Sequence, residues 1–549
     1  MNRFFKPTVT AAFFLFTAAS IFAAEGDITG PDEPAETEII LPRMYLEIED
    51  LTIEEIDAVI PDDAAVMLSS IELPLPEPDQ IVIPAEAFAL SDSDVPGIIT
   101  TTDAGQQGSS FFSEGTIGAG TSAHITGDIN LYHIGSQPDF RLRYFHDSSD
   151  GFAGSEAGEG FSSREELIEA ELNYTDEALS ADILIDYNEF ENGLQGQTDY
   201  FSVTRRIPEL AGGATWQLSD LFSLTGEVDA FIASMQLNDL SPASYSTYAI
   251  SPEAGILLGS DKYNTGLSLN YELNGPSGGV DQQLGAALDF SLNPVDIFNA
   301  DGEVGILWDN YSSLYYPFQL ELSGTASSFE YEISGGYSAF YRDRREIWEI
   351  FPAAAGPESE ASLGDIPLTT GWDVFAGFRW NLSDNMRINA SAGFSKFENA
   401  LMPTGSAVSG FSSFSAVDST CLDASVGIYL KITENFDMSA GWEGQLLDDM
   451  DWFSPRHLFT GSAEMKSADR DMGIIGDISL SIYDEEQSWY TNDWMPELGL
   501  EGYIRLSEGF VFSVTAKDFA AGLLENGRTA WGDYLEEGAM LQAKIKMSL

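Results

Sequence analysis

Four histidines, His124, His133, His146 and His457, and one cysteine, Cys421, are the side chains here best suited to metal or nucleophilic chemistry. No two of the histidines stand three or four residues apart, as metal ligands on one helix face would, and no cysteine accompanies them. His146 is followed by Asp147 and Ser148, the residue types of an acyl-transfer site. The same three residues read more simply as the start of a polar loop after the strand over Phe140–Tyr144, and that reading is preferred. No glycine loop of nucleotide-binding type occurs. No enzyme, metal or cofactor is expected. The chemistry on offer is instead electrostatic. Glu169, Glu171, Asp182, Asp186, Glu321, Glu330, Glu332, Asp437 and Glu443 recur at every second position among apolar neighbours, with Glu501, Arg141, Arg143, Arg379, Arg387, Arg505, Lys517, Lys544 and Lys546 in matching positions. Excess carboxylate on one wall focuses a potential that attracts cationic solutes, whereas crossed acid–base pairs would merely stiffen that wall.

Such spacing requires extended strands. Ala181, Ile183, Ile185 and Tyr187 share one face and Asp182, Asp186 and Asn188 the other; Trp372, Val374, Ala376, Phe378 and Trp380 likewise oppose Asp373 and Arg379. A period of two with one apolar and one charged face is the strand signature. Runs of about ten to fourteen residues match the ~9–11 that cross a bilayer better than the ~5–6 of globular sheets. Short connections (Thr175–Ala178, Leu382–Asn385, Ile432–Asn435, Leu506–Gly509) alternate with long ones (Asp147–Ser163, Arg342–Thr369, Asn399–Asp418, Phe519–Glu536), as periplasmic turns and extracellular loops do. Aromatics such as Tyr315, Tyr316, Trp372, Trp380, Trp489 and Trp494 gather near strand ends, where interfacial girdles belong. Trp348 with Arg342, Arg344 and Arg345, or Trp489 with Tyr490 and Trp494, could also serve as ligand platforms in loops. The pattern predicts an all-β fold: a large antiparallel transmembrane β-barrel of about 20–22 strands over residues 111–549.

The preceding residues have another character. Arg3 and Lys6, the apolar run Ala11 to Phe22, and Ala23–Ala24 follow the plan of a cleaved signal peptide over residues 1–24, which implies export. Residues 25–110 are acidic and proline-rich, with Arg43 the only basic side chain before Arg141. That composition predicts a mostly extended periplasmic segment, with a short strand at Met44–Ile48 and a capped helix from Thr52 to Ile60. The formal net charge of −65 excludes nucleic acid as a partner, because phosphate binding depends on lysine and arginine. One cysteine excludes an intramolecular disulfide framework.

Gly115-Thr-Ile-Gly-Ala-Gly through Thr126-Gly-Asp-Ile-Asn-Leu is similar to the glycine-rich lead-in where the plug of a TonB-dependent receptor hands over to the first barrel strands. The strand number resembles that family as well. Glu36, Thr37, Glu38, Ile39, Ile40 and Leu41 look like its energy-coupling box, which pairs with TonB by strand addition, and Gln80–Ile83 is a second such run. The resemblance implies an outer-membrane channel or receptor-like transporter passing a small solute, with outer-membrane lipids, the barrel-assembly machinery and TonB or another periplasmic protein as partners. The alternating strand ending at Leu549 resembles the C-terminal signal that the assembly machinery reads, with leucine where phenylalanine is usual. The chain departs from the family in its plug: the acidic segment replaces a larger globular domain. The loops Arg342–Thr369 and Asn399–Asp418 are therefore expected to fold inward. The alternative is a structural or assembly anchor whose N-terminal segment docks a periplasmic partner.

Overall fold

The computed structural model describes residues 110–548 except 136, 153, 157, 239–241, 261, 276–279, 296, 310–312, 342–367, 407–411, 447–454, 484–493, 522–528, 532–533 and 536. The leader, the acidic segment with Glu36–Leu41, Arg342, Arg344, Arg345, Trp348, Trp489 and Tyr490 lie outside the described residues. The described residues form a closed 22-strand antiparallel barrel without an α-helix. Each strand pairs with its neighbour in sequence. The ring closes because the first strand, Ser110–Gly120, pairs on one side with Ile125–Ile134 and on the other with the last, Met540–Ser548, from Glu114↔Ser548 to Gly120↔Gln542.

Closure divides every strand into an outer and an inner row. The outer row is apolar and exposed: Ile183, Ile185, Leu267, Leu269, Leu284, Leu288, Val304, Ile306, Ile474, Ile478 and Ile545 are among its members. A water-soluble barrel would not present such a belt, and lipid is the solvent that makes it stable. Aromatic residues bound the belt at both ends. At one end Phe111, His133 and Phe140 stack with centroids 4.6–6.1 Å apart, and Phe329 stacks on Phe378 at 5.7 Å. At the other, Trp372 packs against Phe318 at 5.4 Å and Tyr337 at 5.3 Å. Trp372 and Trp380 lie on one strand with eight steps between them, ~26 Å of extended chain, which fits the height of a hydrocarbon band once tilted.

The tight turns have local causes. Asp176 Oδ1 accepts the backbone N–H groups of Ala178 and Leu179, each at 2.8 Å, and Tyr174 Oη donates to its other oxygen. At the opposite end several strands outrun the bilayer. Ser412–Thr433 has 22 residues and Met386–Ser406 has 21. The expected long loop Asn399–Asp418 is thereby corrected, because most of it is a ladder in which Ala400, Leu401 and Met402 pair with Val417, Ala416 and Ser415. Its loop-like residues have other roles there. Asn399 takes a positive φ of 59° at a bulge, and Pro403 faces Phe414 inside the ladder. Likewise Asp147–Asp150 and Ser162–Ser163, expected in a loop, continue their strands.

The seam between first and last strands is locked by side chains as well. His124, 1% exposed, places Nε2 3.1 Å from both oxygens of Asp147, while the buried Gln542 donates to its Nδ1 at 3.1 Å. This assigns the proton to Nε2. His124→Ala is expected to strand Gln542 and lower stability by about 1–3 kcal/mol, read as reduced resistance to thermal unfolding in detergent. A second test concerns pH. Hydrogen bonds from the Ala178 and Leu179 amides, and then from Tyr174, hold the Asp176 carboxyl below its usual range. Its contribution is complete above the unfolded value and is lost as pH falls through the lower folded value. Asp176→Ala should therefore melt below the parent at neutral pH and converge with it in acid.

Candidate functional site

The inner row is polar all round the ring, but its charge is unevenly arranged. Near the seam acids and bases alternate in close pairs. Arg143 engages Asp128 through two nitrogens at 2.9 and 3.2 Å, Arg141 meets Glu169 at 3.2 Å, and Lys546 meets Glu114 at 2.5 Å. Further round, Arg379 meets Glu330 at 3.1 Å, Lys466 meets Glu464 at 2.7 Å, and Arg387 lies 5.3 Å from the Tyr429 ring centre. Asp437, 8% exposed, lies opposite Glu464 in the ladder, with Lys431 directly across on its other side. Among the other carboxylates expected to act together, Glu169 faces Asp186, Glu171 faces Arg141, Asp182 faces Asn173, Glu332 faces Ser323 and Glu443 faces Ser425.

The arc from Ile207 to Tyr341 is different, since Lys262 is its only basic residue. Here carboxylates face carboxylates directly. Glu227 is the register partner of Glu253, Asp289 of Glu303, and Asp301 of Glu321. Cβ atoms at such positions are ~4.5–5.5 Å apart, and like charges so placed repel. Of these six residues only Glu321 was singled out from sequence. The signal for the others was the near-absence of bases over this stretch; the direct opposition needs the strand register, which alternation alone does not supply.

The mouth is narrowed by the last long connection. From Asp518 the chain leaves the wall, forms a small hairpin of Thr529–Trp531 and Tyr534–Leu535, and rejoins the wall at Met540. It reaches past the first two strands to the third and fourth, and to the connection between the fifth and sixth. Gln195 forms a reciprocal amide pair with Leu535, both contacts 2.8 Å, imitating a ladder rung with one side chain. Glu537 accepts from Ser163 at 2.8 Å and from Ser149. Tyr534 is 7% exposed, and burial pushes its phenol far above the ordinary value. Between hairpin and wall lies a cavity of about 640 Å³. Among the described residues of the last connection, Leu535 and Glu537 are held against the wall, while 399–406 pairs with 412–418 as a ladder and 342–367 falls outside the described residues.

The histidine cluster is placed on the outer row. His146 Nε2 lies 3.0 Å from Ser148 Oγ and Nδ1 lies 3.3 Å from Glu166. Its strand and both neighbours carry continuous ladders there, so their amides are committed to pairing rather than converging on an oxyanion. His133 belongs to the aromatic girdle, and His457 lies 6.0 Å from Trp442. Among the described residues no group of three or more His, Cys, Asp or Glu side chains is placed to hold a metal ion.

No family model matches this chain, and no curated protein matches its sequence. Its fold is nonetheless that of known barrels. The copper transporter OprC is similar with a TM-score of 0.60 at 11% identity, covering 81% of each chain. The ferric enterobactin receptor PfeA of Pseudomonas aeruginosa gives 0.58 at 10% identity, again over 81% of each chain. The siderophore receptor PirA of Acinetobacter baumannii gives 0.59 at 9% identity and the same coverage. These proteins are transporters and receptors rather than enzymes. The chain therefore has the barrel fold of the TonB-dependent receptors, and belt, girdles and closure make it an integral outer-membrane barrel.

The docking of the last loop can be tested directly. Gln195→Ala removes two hydrogen bonds to the Leu535 backbone, together worth about 1–3 kcal/mol. Hydrogen exchange at the Leu535 amide of the folded protein should accelerate by roughly tenfold or more, with the barrel itself intact on a gel.

Proposed function

We propose that this protein is a receptor-like transporter that passes a small cationic solute across the outer membrane. The observation that carries this reading is the arc of directly opposed carboxylates Glu227–Glu253, Asp289–Glu303 and Asp301–Glu321, in a stretch with Lys262 as its only base. Opposed like charges raise the free energy of the empty barrel, and a passing cation relieves that repulsion. The expected lumen carboxylates Glu171, Asp182, Asp186, Glu332, Asp437 and Glu443 extend the negative field, while Glu169 with Arg141 and Glu330 with Arg379 form part of its paired, stiffer side. Residues 25–110 are assigned the role of gate or docking strap, and Glu36–Leu41 that of a strand presented to TonB or a similar periplasmic partner. The barrel fold shared with known receptors supports this division of labour.

Bilayer recordings of the refolded mature protein, with and without residues 25–108, test the reading. Cation-preferring conductance is expected, either directly or once that segment is deleted. Replacing Glu227, Glu253, Asp289 and Glu303 with their amides should shift the reversal potential in a salt gradient towards zero. Silence of both forms, from protein shown to be folded, would favour an anchoring role, and an anion preference would overturn the reading.

A further inference from the structure

The cavity beneath the last loop differs from the rest of the interior in being walled on opposite sides by elements distant in sequence. One wall is Asp477, Glu497, Lys517 and Asp518 from the closing strands; the other is Ser162 and Asn192 from the fourth and fifth strands past the seam. Its roof is Tyr534, Leu535, Glu537 and Gly538, held by Gln195 and by the serines that Glu537 engages. At about 640 Å³ it lies within the size range of small-molecule pockets, and apolar surface from Phe152, Tyr534 and Met540 contributes to its lining. We infer that this cavity binds the solute before passage, and that the solute is an organic cation, one or two amine groups on a compact apolar body.

The lining defines that class. Asp477, Glu497, Asp518 and Glu537 give four carboxylates against the single ammonium of Lys517, so the lining favours positive charge. The acids are distributed round the walls, and no three ligating groups converge among the described residues, which disfavours a bare metal ion needing several oxygen ligands on one centre. Tyr534 and Phe152 supply buried aromatic surface on which an apolar body or an ammonium can rest. Hydroxyls and amides at Ser162, Asn192 and Thr515 supply orienting hydrogen bonds. The roof adds selectivity: Glu537 bridges loop to wall, so a bound ammonium near it meets a carboxylate that already holds the loop closed.

The inference rests on the transport reading but fails separately from it. Calorimetric titration of the full-length refolded protein would use tryptamine as the probe, with indole-3-acetate as its anionic counterpart and Mg²⁺ as the bare cation. Saturable tryptamine binding is expected, weakened at least tenfold by Asp477→Asn with Glu497→Gln, and absent for the anion. Asp220→Asn, in the short turn between the strands Ser202–Ser219 and Phe222–Asn238, should leave the affinity unchanged. Three results would each overturn the assignment: no saturation up to millimolar tryptamine, affinity indifferent to the double variant, or binding of Mg²⁺ alone. Cation-selective conductance without tryptamine binding would sink this inference and leave the transport reading standing. Tryptamine binding by a barrel that passes nothing would do the reverse.

Discussion

Everything in this molecule depends on the requirement that a backbone crossing lipid leave no N–H or C=O unpaired. An open sheet would expose two bare edges in the hydrocarbon, at several kcal/mol for each unsatisfied group. Pairing of Ser110–Gly120 with Met540–Ser548 removes both edges together. The ring then has an inside and an outside, and each strand must sort its side chains between them. Alternation of isoleucine, leucine and valine with aspartate and glutamate follows from that sorting. So does the placing of the polar His124–Asp147–Gln542 lock at the end of the seam beyond the belt, where a rung lost to fraying would matter most.

The inner wall divides into two electrostatic regimes. Beside the seam, Arg141, Arg143 and Lys546 neutralise Glu169, Asp128 and Glu114 at hydrogen-bonding distance, which crosslinks neighbouring strands and leaves little net field. Across the Ile207–Tyr341 arc Lys262 is the only base in the sequence, and three pairs of carboxylates confront one another. Water and mobile counterions in a wide lumen keep that repulsion tolerable, since the effective dielectric there is far above that of a packed core. One part of the wall thus provides stiffness and the other provides potential. A wall neutralised throughout would be firmer and would lose its preference for one sign of charge.

Much of this was legible in the residues themselves. Alternation at Ala181–Tyr187 and Trp372–Trp380, with the short turns at Asp176 and Asn435, specified the barrel and a strand number of 20–22, because period-two patterning and turn chemistry are local properties. What was hidden depends on register. That Glu227 faces Glu253, or Asp289 faces Glu303, cannot be read from either strand alone. The long hairpin around Asn399 and Pro403 was mistaken for a loop because a bulge and a ladder proline carry the same residue types as a turn. The docking of Leu535 and Glu537 was missed for a related reason: Gln195 and Glu537 are common surface side chains, and only distant strands brought beside them reveal what they hold.

The seam also imposes an order on how the molecule comes into being. The strand that pairs with Ser110–Gly120 is separated from it by more than four hundred residues of chain, so the ring cannot shut until nearly all of that chain is at hand. Throughout that interval a growing sheet carries two unsatisfied borders, one at each extremity, and each is a template for any stray strand. Closing is therefore a single late event rather than a gradual tightening, and the barrel has no partly sealed form in which a membrane would be content to hold it. A chain cut short before Met540 loses the ring altogether, however sound its first twenty-one strands.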